Sequence, residues 1–191
     1  RHRLHQRRSD RGEDAANEYN HGIRRGIRND KTIIPPYGVN AQGSGDMYPK
    51  GGNLLHSIRH SMNNDALFRN ILRGLNKSFY NKTVTSKQVE EYISKQSGYN
   101  YSKVFDQYLR TTQIPKLEFY FNEDKSKIFY RYTNCVNGFN LPLTLDSDGA
   151  TAKIIPGKDW KNSTLTKQQA DLFTADAIAK MYYIKPELVN K

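Results

Sequence analysis

The densest set of groups able to do chemistry lies in residues 45–60, GDMYPKGGNLLHSIRH, which hold Tyr48, Lys50, His56 and His60. Histidines spaced i,i+4 share one helix face and can form half of a metal site. A hydrolytic zinc helix also needs a glutamate directly after the first histidine, as general base for the metal-bound water. Ser57 stands there, and no histidine in the chain is followed by Glu. At about 100° per residue, the pair lies opposite the stripe Leu54, Ile58 and Met62. The expectation is two exposed or groove-facing histidines that hold no metal. Tyr48 closes a glycine-rich loop at the mouth of this helix, between Gly45-Asp46-Met47 and Lys50-Gly51-Gly52. Small residues there would let a ligand backbone approach closely.

Other candidates carry less. The DSDG stretch at 146–149 opens like a calcium loop, but no glutamate follows at the twelfth position, so it reads as a turn. Four Asn-x-Ser/Thr sequons, beginning at Asn76, Asn81, Asn100 and Asn162, are expected by chance in an asparagine-rich chain. Cys135 is the only cysteine, which excludes an internal disulfide and a cysteine zinc site. It has no neighbouring base and is expected to be a buried structural residue. No nucleophile elbow, phosphate loop or dinucleotide fingerprint is present.

These residues need elements to hold them. A chain of 191 residues can bury a core without staples. Its 12% aromatic content, with 13 tyrosines, argues for packed structure over disorder. Residues 1–12 show no apolar periodicity and read as a disordered or cut N-terminal arm. Residues 13–29 read as a helix, and 31–51 as a loop rich in Gly and Pro. Three helical signals follow. The first carries Leu54, Leu55, Ile58 and Met62. The second, capped by Asp65, carries Leu67, Phe68, Ile71, Leu72, Leu75 and Phe79. The third opens on the capping box Thr85/Gln88, flanked by Val84 and Val89 at staple positions, and closes at Ser97-Gly98. A short helix with Val104, Phe105, Tyr108 and Leu109 on one face comes next.

After Pro115 the apolar period changes from 3.6 to 2. Leu117, Phe119 and Phe121, then Ile128, Tyr130 and Tyr132, form a hairpin around NEDKS. Leu141, Leu143 and Leu145 alternate again, and 151–155 and 178–184 read as strands. The fold class is therefore α+β. A helical part over 13–113 precedes an antiparallel β-sandwich over 114–191, packed through Leu117, Phe119, Phe121, Ile128, Tyr130, Leu143 and Ile154.

Net charge is +11, with Arg1, Arg3, Arg7, Arg8 and Arg11 against Asp10 placing +4 of it in the first eleven residues. No basic run outside them lies on a recognition helix. A solvated basic face is expected, with nucleic acid or an anionic surface as the alternative partner. No apolar run reaches the ~18 residues of a membrane span.

The ordered set Tyr48-Pro49-Lys50-Gly51, the Thr85 helix, Phe105-Asp106-Gln107-Tyr108-Leu109 and Ile114-Pro115-Lys116-Leu117 resembles the C-terminal part of zinc aminopeptidases of the aminopeptidase N type, the gluzincins. The resemblance runs from about residue 13 to the end. It implies the tail of an α-helical catalytic domain followed by a β-sandwich, in a parent that hydrolyses N-terminal peptide bonds. It makes Tyr48 the catalytic residue, a phenol O–H donor for the tetrahedral oxyanion. Lys50, Gly51 and Gly52 then shape the turn, and Tyr37 either lines the cleft or packs. The family's His-Glu-x-x-His site would precede residue 1. The Met-Glu of its amine-recognising strand has no counterpart, since Met47, Met62 and Met181 are followed by Tyr48, Asn63 and Tyr182. Zinc is thus expected in the full-length parent and not in this chain, which alone is expected to be inactive. The missing catalytic half would cover an apolar surface on the helices. An extracytoplasmic parent is favoured. The rival of the same fold is a non-catalytic scaffold.

Overall fold

A computed structural model describes the backbone of residues 2–147 and 149–190, and side chains from Gly12 onward. Asp148 of the DSDG turn and the ends at Arg1 and Lys191 lie outside the described residues. Helix α1 spans His2–Ile23 and passes into a short 3₁₀ turn, Arg24–Gly26. It thus takes in backbone that the sequence reads as an arm. A long connection leads to α2 (Met47–Met62), α3 (Asp65–Phe79), α4 (Ser86–Ser97) and α5 (Ser102–Arg110).

Local chemistry accounts for these boundaries. Thr85 and Gln88 form the capping box, and Gly98 ends α4 in the left-handed region at φ 71°. The cap of α3 is Asn64, whose side chain accepts from the Leu67 amide, one residue before the expected Asp65. Asp65 is freed to bind Arg59 through two bonds of 2.6 Å.

The second half holds β1 (Lys116–Phe121), β2 (Lys127–Thr133), β3 (Leu143–Ser147), β4 (Ala150–Ile154) and β5 (Lys161–Thr164). Helices α6 (Lys167–Leu172) and α7 (Ala175–Met181) and strand β6 (Lys185–Leu188) follow. One sheet has the order β5-β2-β1-β6, and β3-β4 form a separate hairpin. The β1–β2 pairing puts Phe119 opposite Tyr130, so one face of the hairpin is apolar throughout.

Two expectations are corrected here. Strand β6 runs parallel to β1, because the chain returns through α6 and α7 instead of a tight turn. The sheet is therefore mixed, not wholly antiparallel. Residues 178–184 are not a strand either. Thr174 caps α7 by accepting from the Ala177 amide, and the aromatic run beyond it is fixed by side chains. The buried Tyr182 hydroxyl accepts from Thr144 N–H and donates to Thr144 C=O, both at 2.8 Å. This ties the end of α7 to β3.

One buried cluster runs through both halves, from Leu54, Ile58 and Val104 to Leu117, Tyr132, Leu143 and Ile184. Leu117, Phe119, Ile128, Tyr130, Leu143 and Ile154 are all buried, and Phe121 packs at the margin. Most of the exposed large apolar side chains belong to the helical half, among them Tyr19, Tyr37, Val39, Met47, Tyr48 and Tyr80. No helix among the described residues is long and apolar enough to cross a membrane.

Candidate active site

Helix α2 begins with Met47, Tyr48 and Pro49. Proline fits in this first turn because its missing N–H would have had no intrahelical partner. The first helical bond runs from Lys50 N–H to Asp46 C=O at 2.9 Å. Asp46 does not use its carboxylate as a cap. It accepts from the backbone amides of Arg28 at 3.2 Å and Asn29 at 2.7 Å. Burial pushes its pKa up, but those amides, Ser44 and the Arg28 charge outweigh it and hold the carboxyl below its ordinary range. The helix start is thus tethered to the segment leaving α1. Gly43 completes the tether, since a Cβ there would collide with the Ile33 carbonyl.

Tyr48 and Lys50 are two residues apart, about 200° around a helix, so one must face inward when the other faces out. Lys50 is the inward one, at 1% exposure, while Tyr48 is 83% exposed. The Lys50 ammonium donates to Thr111 C=O at 2.9 Å. Thr111 is the C-cap of α5, the electronegative end of that helix. Burial lowers the Lys50 pKa and the Asp46 charge raises it, with a net depression.

Thr111 is itself held. Its hydroxyl donates to Gln107 C=O at 2.6 Å. The fully buried Gln107 donates to Gln113 C=O at 2.8 Å and accepts from Val136 N–H at 2.6 Å. A buried polar chain therefore runs from the Tyr48 helix start, through Lys50, Thr111 and Gln107, to the loop after β2. No periodicity marks Gln107 as buried, and the sequence reading missed it. Its place inside the Phe105–Leu109 motif was the only signal available.

The two glycines do not shape a turn as expected. Gly51 and Gly52 lie within α2. A Cβ at Gly51 would meet nothing, and one at Gly52 would make ordinary contact with Asn20 on α1. Tyr37 is exposed, and its hydroxyl meets Ser86 Oγ at 3.1 Å. It ties the loop to the start of α4.

His56 and His60 are buried, at 6% and 5% exposure, which corrects the expectation of an exposed or groove-facing pair. Helix α1 covers them. His60 Nε2 lies 2.8 Å from Asn17 Oδ1 and 3.1 Å from His56 Nε2. Asn17 Oδ1 only accepts, so His60 Nε2 carries the proton and His56 Nε2 accepts. Burial lowers His56 to about 4 and His60 to about 3, helped by Arg59 at both and by each other's proximity at His60. Both rings are neutral at pH 7. Among the described residues, no group of three or more His, Cys, Asp or Glu is placed to hold a metal. Cys135 is half-buried, and burial raises its pKa, as expected of an inert thiol.

No family model matches the chain, and no curated protein matches it. Among solved structures, it resembles Legionella pneumophila aminopeptidase A, in a crystal structure with aspartic acid, with a TM-score of 0.55 and 17% identity. That match covers 78% of this chain and 18% of the Legionella protein. The fold of this helical and β assembly is accordingly shared with part of an aminopeptidase.

Proposed function

We propose that this chain is the tyrosine-bearing part of a zinc-dependent aminopeptidase of the gluzincin type, and that Tyr48 stabilises the oxyanion formed during hydrolysis of an N-terminal peptide bond. One observation carries the reading. Tyr48 stands exposed on a helix start that Asp46 and Lys50, two residues to either side, anchor as buried, hydrogen-bonded groups. The backbone that carries this phenol is held on both flanks, and its O–H can point at an oxygen of a bound substrate. It gains most when that oxygen takes up negative charge, which lowers the barrier more than it strengthens substrate binding.

The described residues do not fit a zinc site. His56 and His60 spend their facing nitrogens on each other and on Asn17. In this reading, the metal ligands and the attacking water belong to polypeptide outside this chain. That polypeptide also covers the exposed apolar residues beside Tyr48. The isolated chain is then inactive on peptides and carries no stoichiometric zinc. Elemental analysis that found one tightly held zinc per chain would remove that part of the proposal.

The direct test uses the complete polypeptide and an aminoacyl reporter. Tyr48→Phe keeps ring and loop but removes the donor. Turnover falls on the order of 10²–10³, equivalent to about 3–4 kcal/mol, with little change in KM. Wild-type turnover in Tyr48→Phe would remove Tyr48 from the chemistry.

A further inference from the structure

A surface cavity of about 520 Å³ lies between the end of α1, helix α7 and the start of β6. This is within the roughly 300–1,000 Å³ of ordinary ligand pockets. Its polar wall is Arg24, Asn29, His21 and Lys185, and Ile114 and Pro186 belong to its apolar wall. No Asp or Glu lines it.

Arg24 is the unusual member. Its Nε donates to Asn53 Oδ1, its Nη1 to Ala179 C=O, and its guanidinium lies 5.1 Å from the centre of the Tyr183 ring. Its Nη2 is buried with no acceptor. No carboxylate forms an ion pair with it among the described residues. The nearby Asp176 is engaged by Lys180 at 2.9 Å. Asn29 shows the opposite deficit. Its Nδ2 donates to the Tyr183 hydroxyl at 3.1 Å, and its Oδ1 is buried with no donor. Unpaired buried polar groups are costly, and two on the residues that line one cavity, both against Tyr183, call for a common explanation. Burial also lowers the Arg24 pKa, to about 10, as expected of a guanidinium that lacks a counter-ion.

We infer that this cavity binds an N-acyl amino carboxylate, the chemistry of a peptide C-terminus with an apolar last side chain. The carboxylate supplies the acceptor that Arg24 lacks, with Lys185 adding charge from the rim. The amide N–H supplies the donor that Asn29 lacks. The side chain lies against Ile114 and Pro186. A bare anion would satisfy Arg24 only, and a neutral amide would leave the positive wall without a counter-charge. The cavity includes neither Tyr48 nor Lys50, it meets the Tyr48 helix start only through the Asn29 backbone amide, and its test does not require peptidase activity.

The experiment is calorimetric titration of the 191-residue chain with N-acetyl-L-leucine, N-acetyl-L-leucinamide and inorganic phosphate. The expected result is saturable binding of N-acetyl-L-leucine, at least about tenfold tighter than either of the others. Arg24 also supports Asn53 and α7, so its removal could unfold the chain. Asn29→Asp and Lys185→Glu are the informative variants. Asn29 sits at φ 52°, which Asp tolerates. Each variant sets a carboxylate against the ligand and weakens binding about tenfold or more, and the exposed Lys185→Glu does so with an unchanged Tm. Equal binding of the leucinamide would overturn the proposal, as would phosphate binding as tightly as the acid. Wild-type affinity in both variants, or no saturable binding of N-acetyl-L-leucine, would overturn it too.

Discussion

The two ends of α2 use polar residues in opposite ways. At its start, Asp46 and Lys50 are buried so that Tyr48 can stand in solvent on a fixed base. Toward its end, His56 and His60 are sealed beneath α1, and nothing of them is offered to a ligand. On a helical wheel both ends look alike, with polar groups opposite an apolar stripe. The difference lies in what packs over each face. The segment between α1 and α2 doubles back beneath the Tyr48 end and leaves its outer side open. Helix α1 lies across the histidine end with Asn17 and Asn20 as partners. Polar residue type shows which groups can do chemistry, and tertiary cover decides which of them are available to do it.

The largest expected effect separates the two ends by pH. Both histidines have folded pKa values below their ordinary 6.5. The unfolded chain therefore takes up the proton first. Their stabilisation is complete above about 6.5 and is lost as pH falls towards 4 and then 3. The charges facing them offer little relief. Glu13 is 3.7 Å from His60 and half-exposed, while Arg24 and Arg59 oppose protonation. Between pH 7 and pH 4, unfolding free energy should drop by about 3–6 kcal/mol, measured by urea denaturation. Asp46 and Asp65, also depressed, start from 3.8 and act only at the acid limit. A double variant, His56→Asn with His60→Gln, should flatten the slope between pH 6.5 and 4.5. A slope unchanged by it would place the acid sensitivity elsewhere.

A smaller loss is expected at the other end. Lys50→Ala removes a buried stem and leaves the Thr111 carbonyl without its donor, for about 2–4 kcal/mol of stability. Lys50→Met restores the packing and should recover part of it. If both variants match the native chain in denaturant, Lys50 is no anchor and the contrast between the ends fails. Gly43→Ala should cost about 1–3 kcal/mol, because the new methyl meets the Ile33 carbonyl and backbone must move.

Parts of this were legible in the sequence. Helices α2 to α5 announce themselves through local signals: the stripe on α2, the Thr85 capping box and the glycine stop at Gly98. Hairpin β1–β2 does so through strict alternation. The misreadings at 178–184, at β6 and at the histidines share one cause, partners far away in sequence. Residues 178–184, IAKMYYI, are apolar and aromatic enough to suit a strand locally. Thr174 starts a helix instead, and Thr144 fixes Tyr182 beyond it. Strand β6 is recognisable only beside β1. The histidines could be placed only once α1 was known to cover them. At the candidate site, the place of Tyr48 at a helix start was visible from its setting. The buried bonds of Lys50 and Gln107 were not, since polarity normally signals exposure.

The smallest effect is a gain. Gly51 lies in the helix with open space beyond its Cα. Gly51→Ala should raise stability by roughly 0.5–1 kcal/mol through helix propensity, seen as a higher Tm. A loss of stability would mean that the open side at the start of α2 is crowded after all.

The parallel strand β6 also governs the order in which the molecule can assemble. Tyr183 N–H reaches back to Ser57, Tyr108 donates to the Tyr183 carbonyl, and Lys185 pairs with Lys116. These are closures over long stretches of chain, and such closures are slow to find. During synthesis the α1–α2 pair emerges early but must wait for residues beyond 178 before its last bonds form. Until then, the central sheet has an open edge at β1, the kind of edge that recruits strands from neighbouring chains. A segment of barely ten residues therefore acts as the clasp of the whole fold, and the interval before it closes is when the nascent chain is most exposed to aggregation.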